Sequence, residues 1–322
     1  MDPPADPPPA VVCYHYPCLD GVFAALAARL GLPEGGPRVR FVPLTVHSPP
    51  SCAADLGLEG GEHVYLLDYV GPRGFALNVA KVVRRLTVLD HHKTALDILP
   101  GRGSGCPANM DVVLDMKRSA ATIAMDYFKP RAVLDSPKLR WAFRYVEDAD
   151  LARWKLKNSK PYTAGIARKN LEFDFNKNPR IFDQLLRLDT AEMTRMGRKK
   201  MRADLGLMEP IVRQAFEVAI GGADAAGRDW GRCLAARADD LHHLRSGIGN
   251  RLARMSRARG LRAIGLVAYF EPEMNDRRKI KCSLRSLGRE DTTKISEFFG
   301  GGGHTNASSC FVDFEAFQTW RT

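Results

Sequence analysis

Residues 85–92 read Arg-Leu-Thr-Val-Leu-Asp-His-His (RLTVLDHH), an apolar run that leads directly into an acidic and imidazole cluster. A similar run at residues 63–69, HVYLLDY, ends with Asp68 and a tyrosine. Short apolar runs bounded by polar residues are typical of buried strands. Because functional groups collect at the carboxyl ends of the strands in a parallel sheet, Asp68 and Asp90 are expected at one edge of the same sheet.

The segments on both sides repeat a plan of strand followed by helix. Strands are predicted at residues 11–14 and 40–44, and helices at residues 22–30, 75–82, 119–128 and 139–145. The last of these helices leads into the acidic sequence Val-Glu-Asp-Ala-Asp-Leu at residues 146–151. Alternating strands and helices predict a mostly parallel sheet.

The C-terminal third changes pattern. Apolar residues recur at helical spacing from Asp189 to about residue 220, which predicts a connector helix within residues 189–225. Short strand candidates then flank a predicted helix at residues 248–258. The expected fold class is α/β, with a disordered leader at residues 1–10, a mostly parallel N-terminal lobe at 11–188, and a smaller α/β lobe at 226–322.

Composition limits the classes of function. The chain has 322 residues, a net charge of +11 and no apolar stretch approaching the length of a membrane span, so no membrane association is expected. The positive charge favours polyanions such as nucleic acids, nucleotides or polyphosphate. Seven cysteines without a C-x-x-C pair indicate reduced thiols and an intracellular, cytoplasmic location.

Four acidic or imidazole residues, Asp20, Asp68, His91 and Asp148, are each predicted at the end of an element that faces one crevice. Carboxylate and imidazole ligands suit Mn²⁺ or Mg²⁺ at a phosphate site, and two such ions require a bridging carboxylate, for which Asp68 is the candidate. A single aspartate at a strand end is also an ordinary turn former or helix cap. Asp90 before two adjacent histidines is harder to explain that way, since a carboxylate beside imidazole is typical of metal sites.

The second lobe contains four glycines followed by a histidine, Gly300 to His304. Glycines let a backbone approach a ligand and direct amide N–H groups at an anion, although such a run also fits a flexible loop. Arg285, with Ser283 nearby in sequence, is the candidate for bidentate pairing with phosphate oxygens; an exposed strand arginine is the alternative.

These motifs, in this order, resemble the DHH phosphoesterase superfamily. The match comprises Cys18-x-Asp20-Gly21, Leu67-Asp68, Asp90-His91-His92-Lys93, the 146–151 segment and the glycine run. The C-terminal third resembles the DHH-associated domain of the nanoRNase and RecJ-like branch.

The resemblance implies a two-lobe hydrolase, usually Mn²⁺-dependent, with substrate between the lobes. By position, Asp20, Asp68, His91 and Asp148 would be metal ligands, with Asp68 bridging. His92 would meet the scissile phosphate or its leaving group, and Asp90 would orient the histidines. The set implied for substrate binding is Arg285, Ser283, Gly301, Gly302, Gly303 and His304. Arg118-Ser119 resembles the segment before a structural helix beside the site.

One departure concerns the first motif, which in this family usually reads His-x-Asp-x-Asp-Gly. Here Tyr16 and Cys18 replace the histidine and the first aspartate. Either His15 and Cys18 form a variant ligand set that favours a softer ion, or Cys18 is a buried small hydrophobe and His15 a loop residue.

The expected function is metal-dependent hydrolysis of short RNA or DNA oligonucleotides or of phosphorylated small molecules, with Mn²⁺ as first choice and Mg²⁺ or another divalent ion as alternatives. Exopolyphosphatase or 3'-phosphonucleotide phosphatase activity is an alternative, because the same metals serve either bond. A nucleotide- or phosphate-binding protein that has lost one metal site is the non-enzyme alternative. A homodimer is compatible with these expectations.

Overall fold

The computed structural model describes residues 9–33, 39–99, 105–271, 274 and 276–322. Of the expected leader, residues 1–8 lie outside the described range, and Ala10 already begins the first strand. The chain forms two compact units, residues 1–201 and 202–322, and the boundary falls within a long helix, Thr190–Arg213.

The first unit is built around a five-stranded parallel sheet, as the sequence predicted. Its strands lie in the order β2-β1-β3-β4-β5, and every neighbouring pair is parallel. The strands are β1 (Ala10–His15), β2 (Val39–Leu44), β3 (His63–Leu67), β4 (Arg85–Asp90) and β5 (Met110–Leu114).

Helices cover both faces of this sheet. Their bounds are α1 (Leu19–Gly31), α2 (Phe75–Val82), α3 (Lys93–Ile98), α4 (Ala120–Phe128), α5 (Arg131–Leu134), α6 (Pro137–Asp150), α7 (Ser159–Arg168) and α8 (Ile181–Arg187). Alanine-rich α1 is buried on nearly all sides, and small side chains allow it to pack closely against α4 and the sheet. One core cluster contains α1, α4 and α6, and another contains α2 and Ala95 of α3.

The order of the strands determines where a site forms. The chain passes from β1 to β2 on one side and then to β3 on the other side of β1, so the connections diverge after β1 and β3. In open parallel sheets, ligands bind beyond the carboxyl ends of the strands at such a switch point. His15 ends β1 and Asp68 follows β3 directly.

The second unit contains a mixed six-stranded sheet in the order β10-β11-β9-β8-β7-β6. The strands are β6 (Phe216–Ala219), β7 (Arg232–Arg237), β8 (Ile264–Tyr269), β9 (Lys279–Ser286), β10 (Gly302–His304) and β11 (Ala307–Asp313). The helices are α9 (Thr190–Arg213), which begins in the first unit, α10 (Arg245–Ala258), α11 (Thr293–Phe298) and α12 (Phe314–Gln318).

The connector differs from the sequence expectation at its C-terminal end. The helix ends at Arg213, and residues 216–219 form a strand that pairs with β7. Val218 of this strand is buried in the core of the second sheet. This tertiary packing outweighs the helical spacing of apolar residues in the sequence.

Each of the seven cysteines is a free thiol. In the described part of the chain, none of the helices has the length and apolar character needed to cross a membrane.

Candidate metal centre

The turn from β1 into α1 places His15, Cys18 and Asp20 beside one another. Cys18 caps α1 and Asp20 lies in its first turn, with only 1% of its surface exposed. A Cβ on Gly21 would lie 2.3 Å from the carbonyl oxygen of His15. Glycine is therefore required at this position, because α1 starts in direct contact with the end of β1.

Asp68 occupies the centre of the cluster. It follows β3 with a φ of +58°, a left-handed conformation uncommon outside glycine and often found at functional sites. Its two carboxylate oxygens face different neighbours: Oδ2 lies 3.2 Å from Nδ1 of His15, and Oδ1 lies 3.2 Å from Nε2 of His91. A carboxylate arranged in this way is suited to bridge two cations.

Asp90 orients the two histidines that follow it. Its Oδ1 accepts hydrogen bonds from the backbone N–H groups of His91 at 2.6 Å and His92 at 3.0 Å, and lies 2.8 Å from Nδ1 of His92. The Nδ1 contact leaves Nε2 of His92 available for another partner. Asp90 itself is buried, so it acts here as a support for the imidazoles.

Nε2 of His91 lies among three carboxylates. It is 3.2 Å from Asp68, 3.4 Å from Asp150 and 3.6 Å from Asp20. Yet this nitrogen and Oδ1 of Asp68 are both buried without a hydrogen-bond partner. Buried polar atoms without partners are costly and uncommon in folded proteins. Their convergence fits a bound cation that both atoms would ligate.

The pKa values of the cluster also fit a site for a cation. Burial, with the neighbouring Asp68 and Asp150, raises the pKa of Asp20 to about 8. Burial alone would lower the pKa of His91, but Asp68 and Asp20 outweigh it and raise that pKa to about 9. The cluster therefore holds protons in place of a positive ion, and a divalent cation would displace them.

His15, Cys18 and Asp68 form a second group whose ligand atoms lie within 4.8 Å of one another. Burial and the adjacent Asp68 carboxylate raise the pKa of the Cys18 thiol. Cys18 is therefore a neutral thiol until a cation offsets these carboxylates. His15 reaches the centre, one of the two alternatives that the sequence left open.

Three overlapping groups thus have metal-binding composition: His15 with Cys18 and Asp68; Asp68 with Asp90, His91 and His92; and Asp20 with His91 and Asp150. Asp68 and His91 each belong to two of them. The donor atoms fit two divalent ions, one held by Asp20, His91, Asp150 and Asp68, and the other by Asp68, His15 and Cys18.

Asp148, which the sequence predicted as a ligand, lies outside these groups of described residues. Its carboxylate accepts hydrogen bonds from the N–H groups of Lys155 at 2.9 Å and Leu156 at 3.1 Å, and from Oγ of Ser159 at 2.5 Å. Burial would raise the pKa of Asp148, but these donors outweigh it and lower that pKa. The carboxylate is therefore engaged in holding the turn after α6.

Asp150, which the sequence interpretation missed, lies 3.4 Å from Nε2 of His91 and is a candidate ligand. Residues 148 and 150 are two apart in α6, so their side chains project from different sides of the helix, and only one can face His91. This spacing was the signal available in the sequence. Choosing between the two aspartates required the position of the helix.

The segment Arg118-Ser119 does precede a helix beside the centre. Ser119 caps α4, and the carboxylate of Asp20 accepts hydrogen bonds from the N–H groups of Ala120 at 2.7 Å and Ala121 at 3.1 Å. The positive end of α4 therefore helps to hold the charge of Asp20. Nε of Arg118 donates to Glu147 of α6 at 3.0 Å, which links the two helices.

The predicted substrate residues of the second unit share one part of its sheet. Arg285 is paired with Ala307 and Ser283 with Ser309 of β11, while Gly302 and His304 of β10 pair with those same two residues. Directly paired residues project to the same face, so Arg285, Ser283 and His304 lie on one face. Of the four glycines, Gly302 and Gly303 belong to the edge strand β10. Gly301 and Gly303 approach the backbone of β11 too closely for a Cβ.

The fold and this cluster define an α/β protein with a carboxylate and histidine centre suited to divalent cations. No family model matches the chain. A curated protein, the uncharacterized protein R106 of Acanthamoeba polyphaga mimivirus, is 24% identical over 310 residues. The match covers 92% of this chain and 66% of that protein, so the chain spans just under two thirds of the relative's length.

Three solved structures are similar over most of the chain. An exopolyphosphatase-related protein from Bacteroides fragilis has a TM-score of 0.48 at 15% identity, covering 96% of this chain and 89% of that one. The pGpG-specific phosphodiesterase PggH from Vibrio cholerae has a TM-score of 0.46 at 12% identity, covering 96% and 95%. The exonuclease RecJ bound to manganese has a TM-score of 0.43 at 14% identity, covering 97% and 88%.

These three structures belong to the DHH superfamily, which the motifs of this chain resemble. The activity proposed for this chain rests on the geometry of its own metal centre.

Proposed function

We propose that this chain is a divalent-metal-dependent phosphoesterase that hydrolyses short oligonucleotides or other small phosphate esters. The observation that carries the proposal is the pair of buried, unpartnered atoms, Oδ1 of Asp68 and Nε2 of His91, among the carboxylates of Asp20 and Asp150. Carboxylate and imidazole ligands with a shared aspartate are the donors used in two-metal phosphoester hydrolysis.

The ligand set comprises Asp20, Asp68, His91 and Asp150, with His15 and Cys18 on the other side of Asp68. Bound there, Mn²⁺ or Mg²⁺ would offset charge on the phosphoryl oxygens and lower the pKa of the attacking water. The protein's own contribution is to fix these ligands before substrate arrives: Asp68 by its left-handed backbone, and Asp20 by the N-terminus of α4.

His92 is the candidate for proton transfer to the leaving group. Its side chain is 47% exposed, whereas that of His91 is 9% exposed, so His92 is the imidazole that substrate can reach. The hydrogen bond with Asp90 raises the pKa of His92. With Nδ1 held by Asp90, a protonated imidazole would donate from Nε2 to the departing oxygen.

In the second unit, Arg285, Ser283, Gly301, Gly302, Gly303 and His304 remain the proposed phosphate-binding residues. Nε of Arg285 donates to Oγ of Ser246 at 3.2 Å and Nη1 to the carbonyl of Leu284 at 2.9 Å, which leaves Nη2 for a phosphate oxygen. The seven free thiols support the expectation of a reducing, cytoplasmic environment.

The replacement of the usual first-motif residues by Tyr16 and Cys18 favours a second candidate, a phosphate-binding protein with one metal. Metal content separates the two. About two Mn²⁺ per chain with turnover supports the enzyme, and about one without turnover supports the binding protein.

The test is Mn²⁺-dependent product release from RNA dinucleotides, longer oligomers, 3'-phosphoadenosine phosphate and polyphosphate, with a chelator control. His91→Ala should abolish hydrolysis, because it removes the imidazole that lies among the carboxylates of Asp20, Asp68 and Asp150. His243→Ala is a matched control, since His243 is exposed and belongs to the second unit. Full activity of His91→Ala would refute the proposed site.

A further inference from the structure

A pocket of about 290 Å³ opens beside the metal centre within the first unit. Its polar lining comes from the centre itself: His15, Asp68, Asp90 and His92. Its apolar lining comes from three segments that the proposed chemistry does not use: Val46, Pro49, Tyr69, Val70, Pro72 and Ile98. A group esterified to a phosphate at the centre would therefore have an apolar cavity next to it.

The walls of the pocket are held in place by local structure. Tyr69 and Val70 directly follow Asp68 and are 5% and 6% exposed, so that wall is continuous with a proposed metal ligand. The bend that follows depends on Gly71, whose φ is +74° and whose Cβ would lie 2.2 Å from the ring of Phe75. Thr94 and Ile98 line the pocket from one face of α3, since they are four residues apart on that helix.

Val46 follows β2 and, unlike the buried Tyr69 and Val70, is 59% exposed. With the exposed Pro49 and Pro72, it presents apolar surface to solvent at a site already lined by two histidines. Apolar surface in a concave site is the usual lining of small-molecule pockets, where a few polar groups set orientation. Thr94 supplies such a hydroxyl group.

The composition of the lining separates substrate classes. None of the described residues that line this pocket is lysine or arginine. A polyphosphate chain carries charge on every phosphate and, beyond the ions at the centre, would find no cation here to offset the cost of burying it. A flat, uncharged group with apolar faces and hydrogen-bonding edges matches these walls.

Size narrows the class further. Ligand pockets for drug-sized molecules typically enclose ~300–1,000 Å³, so a pocket of about 290 Å³ lies at the lower limit. A pocket of this size suits a single small group such as one nucleoside. We propose that this pocket binds the nucleoside on the leaving side of the scissile phosphate, so that the substrates are nucleoside phosphate esters and not inorganic polyphosphate.

This inference rests on the proposed function and specifies which bond to phosphorus is broken. A bond forms between the water oxygen and phosphorus, and the bond between phosphorus and the nucleoside oxygen breaks. His92, which lines both the centre and the pocket, gives its proton to the departing nucleoside oxygen and is reprotonated by the attacking water. The nucleoside leaves as an alcohol, and the phosphate stays on the other product.

The test uses the full chain with Mn²⁺ and two substrates, a 5'-phosphorylated adenosine dinucleotide and tripolyphosphate. Val46→Asp places a charge on the apolar wall at an exposed position, so folding should be retained. Val82→Asp is the matched control, because Val82 is 43% exposed and is not part of the lining. We expect KM for the dinucleotide to rise at least about fivefold in Val46→Asp, with kcat nearly unchanged and Val82→Asp unaffected.

An unchanged KM in Val46→Asp, or tripolyphosphate hydrolysed as efficiently as the dinucleotide, would overturn the inference while leaving a phosphoesterase. Absence of turnover with every substrate would refute the proposed function instead. The pocket is then tested by binding of adenosine 5'-monophosphate to the Mn²⁺-loaded protein by calorimetry. Weaker binding in Val46→Asp than in Val82→Asp would support the pocket, and equal or undetectable binding in all variants would overturn it.

Discussion

Asp148 and Asp150 show how two carboxylates in one motif acquire different tasks. Asp148 receives three hydrogen bonds from the turn that follows α6, whereas a carboxylate oxygen of Asp150 lies 3.4 Å from Nε2 of His91. One carboxylate is satisfied by the protein. The other is one of three carboxylates that surround Nε2 of His91.

We predict that Asp150→Asn reduces Mn²⁺ affinity, whereas Asp148→Asn reduces the stability of the fold. Asp150→Asn should weaken Mn²⁺ binding at least about tenfold. Loss of a residue that only supports a metal ligand already weakens binding by about tenfold or more. The chelated form of this variant should be no less stable, since one of several crowded carboxylates has been removed. Asp148→Asn should cost about 2 kcal/mol of unfolding free energy through weakened charge-assisted hydrogen bonds.

Calorimetric titration with Mn²⁺ and urea unfolding in chelator measure the two effects, and each variant serves as the control for the other. Loss of Mn²⁺ affinity in Asp148→Asn alone would return the ligand role to Asp148.

Cys18 would set the preference of the proposed second metal position for softer or harder ions. A thiolate prefers softer ions than a carboxylate does, and Cys18 lies with His15 and Asp68 in one group. We predict that Cys18→Asp shifts the preference from Zn²⁺ toward Mn²⁺ and keeps or raises Mn²⁺-dependent activity. Competitive binding of the two ions measures the shift.

Cys52→Asp provides the comparison, because Cys52 is also partly exposed but lies outside the three metal-binding groups. An unchanged preference in Cys18→Asp would show that Cys18 acts only in packing.

At the scale of elements, the approach of α1 to β1 builds the centre. His15 ends the strand, Asp20 lies in the first turn of the helix, and Gly21 is the point of contact between them. The same carboxylate of Asp20 accepts two N–H groups of α4. Strand β1 and two helices therefore meet at a single side chain.

We predict that Gly21→Ala destabilises the protein by about 1–3 kcal/mol, the usual cost of overpacking, because its Cβ would overlap the carbonyl oxygen of His15. Mn²⁺ affinity should fall as well, since relief of the overlap moves Asp20 away from His91. Thermal unfolding with and without Mn²⁺ measures both.

Gly206→Ala is the matched control, because a Cβ at Gly206 in α9 would meet no atom within 4 Å. Equal stability of the two variants would contradict the close approach.

At the scale of the whole molecule, pH and metal binding should be linked. The folded-state pKa values of Asp20 and His91 are raised, to about 8 and about 9, from ordinary values of 3.8 and 6.5. A group whose pKa is raised by folding stabilises the fold below its ordinary pKa and loses that contribution as pH rises through the folded value. The neighbouring imidazoles of His15 and His91 outweigh burial and lower the pKa of Asp68 to about 2, so its contribution is complete above 3.8.

The chelated protein should therefore lose stability as pH rises, through Asp20 between about pH 3.8 and 8 and through His91 between about pH 6.5 and 9. The increase in Tm on adding Mn²⁺ should grow over the same range, because fewer protons compete for the ligands. Calorimetric scans with Mn²⁺ or chelator at several pH values test this. His91→Ala should remove the contribution of His91 to this decline and leave that of Asp20, and a Tm increase that shrinks toward high pH would contradict the proposed cluster.

The sequence determined the parallel sheet of the first unit and most of the centre. The apolar runs before Asp68 and Asp90 are local signals, because a buried strand and the polar residue that follows it are contiguous in the chain. For that reason Asp68, Asp90, His91 and His92 could be predicted together, and Asp20 was predicted from its position at the end of an element that faces the same crevice.

Only the tertiary structure decided which residues converge from distant segments. The choice of Asp150 over Asp148 depends on how α6 is rotated, and the arrival of His15 beside Asp68 depends on the pairing of β1 with β3. Gly302 and Gly303 of the glycine run form a strand because they pair with β11. Such contacts are set by packing between residues far apart in the chain, where spacing and composition carry little information.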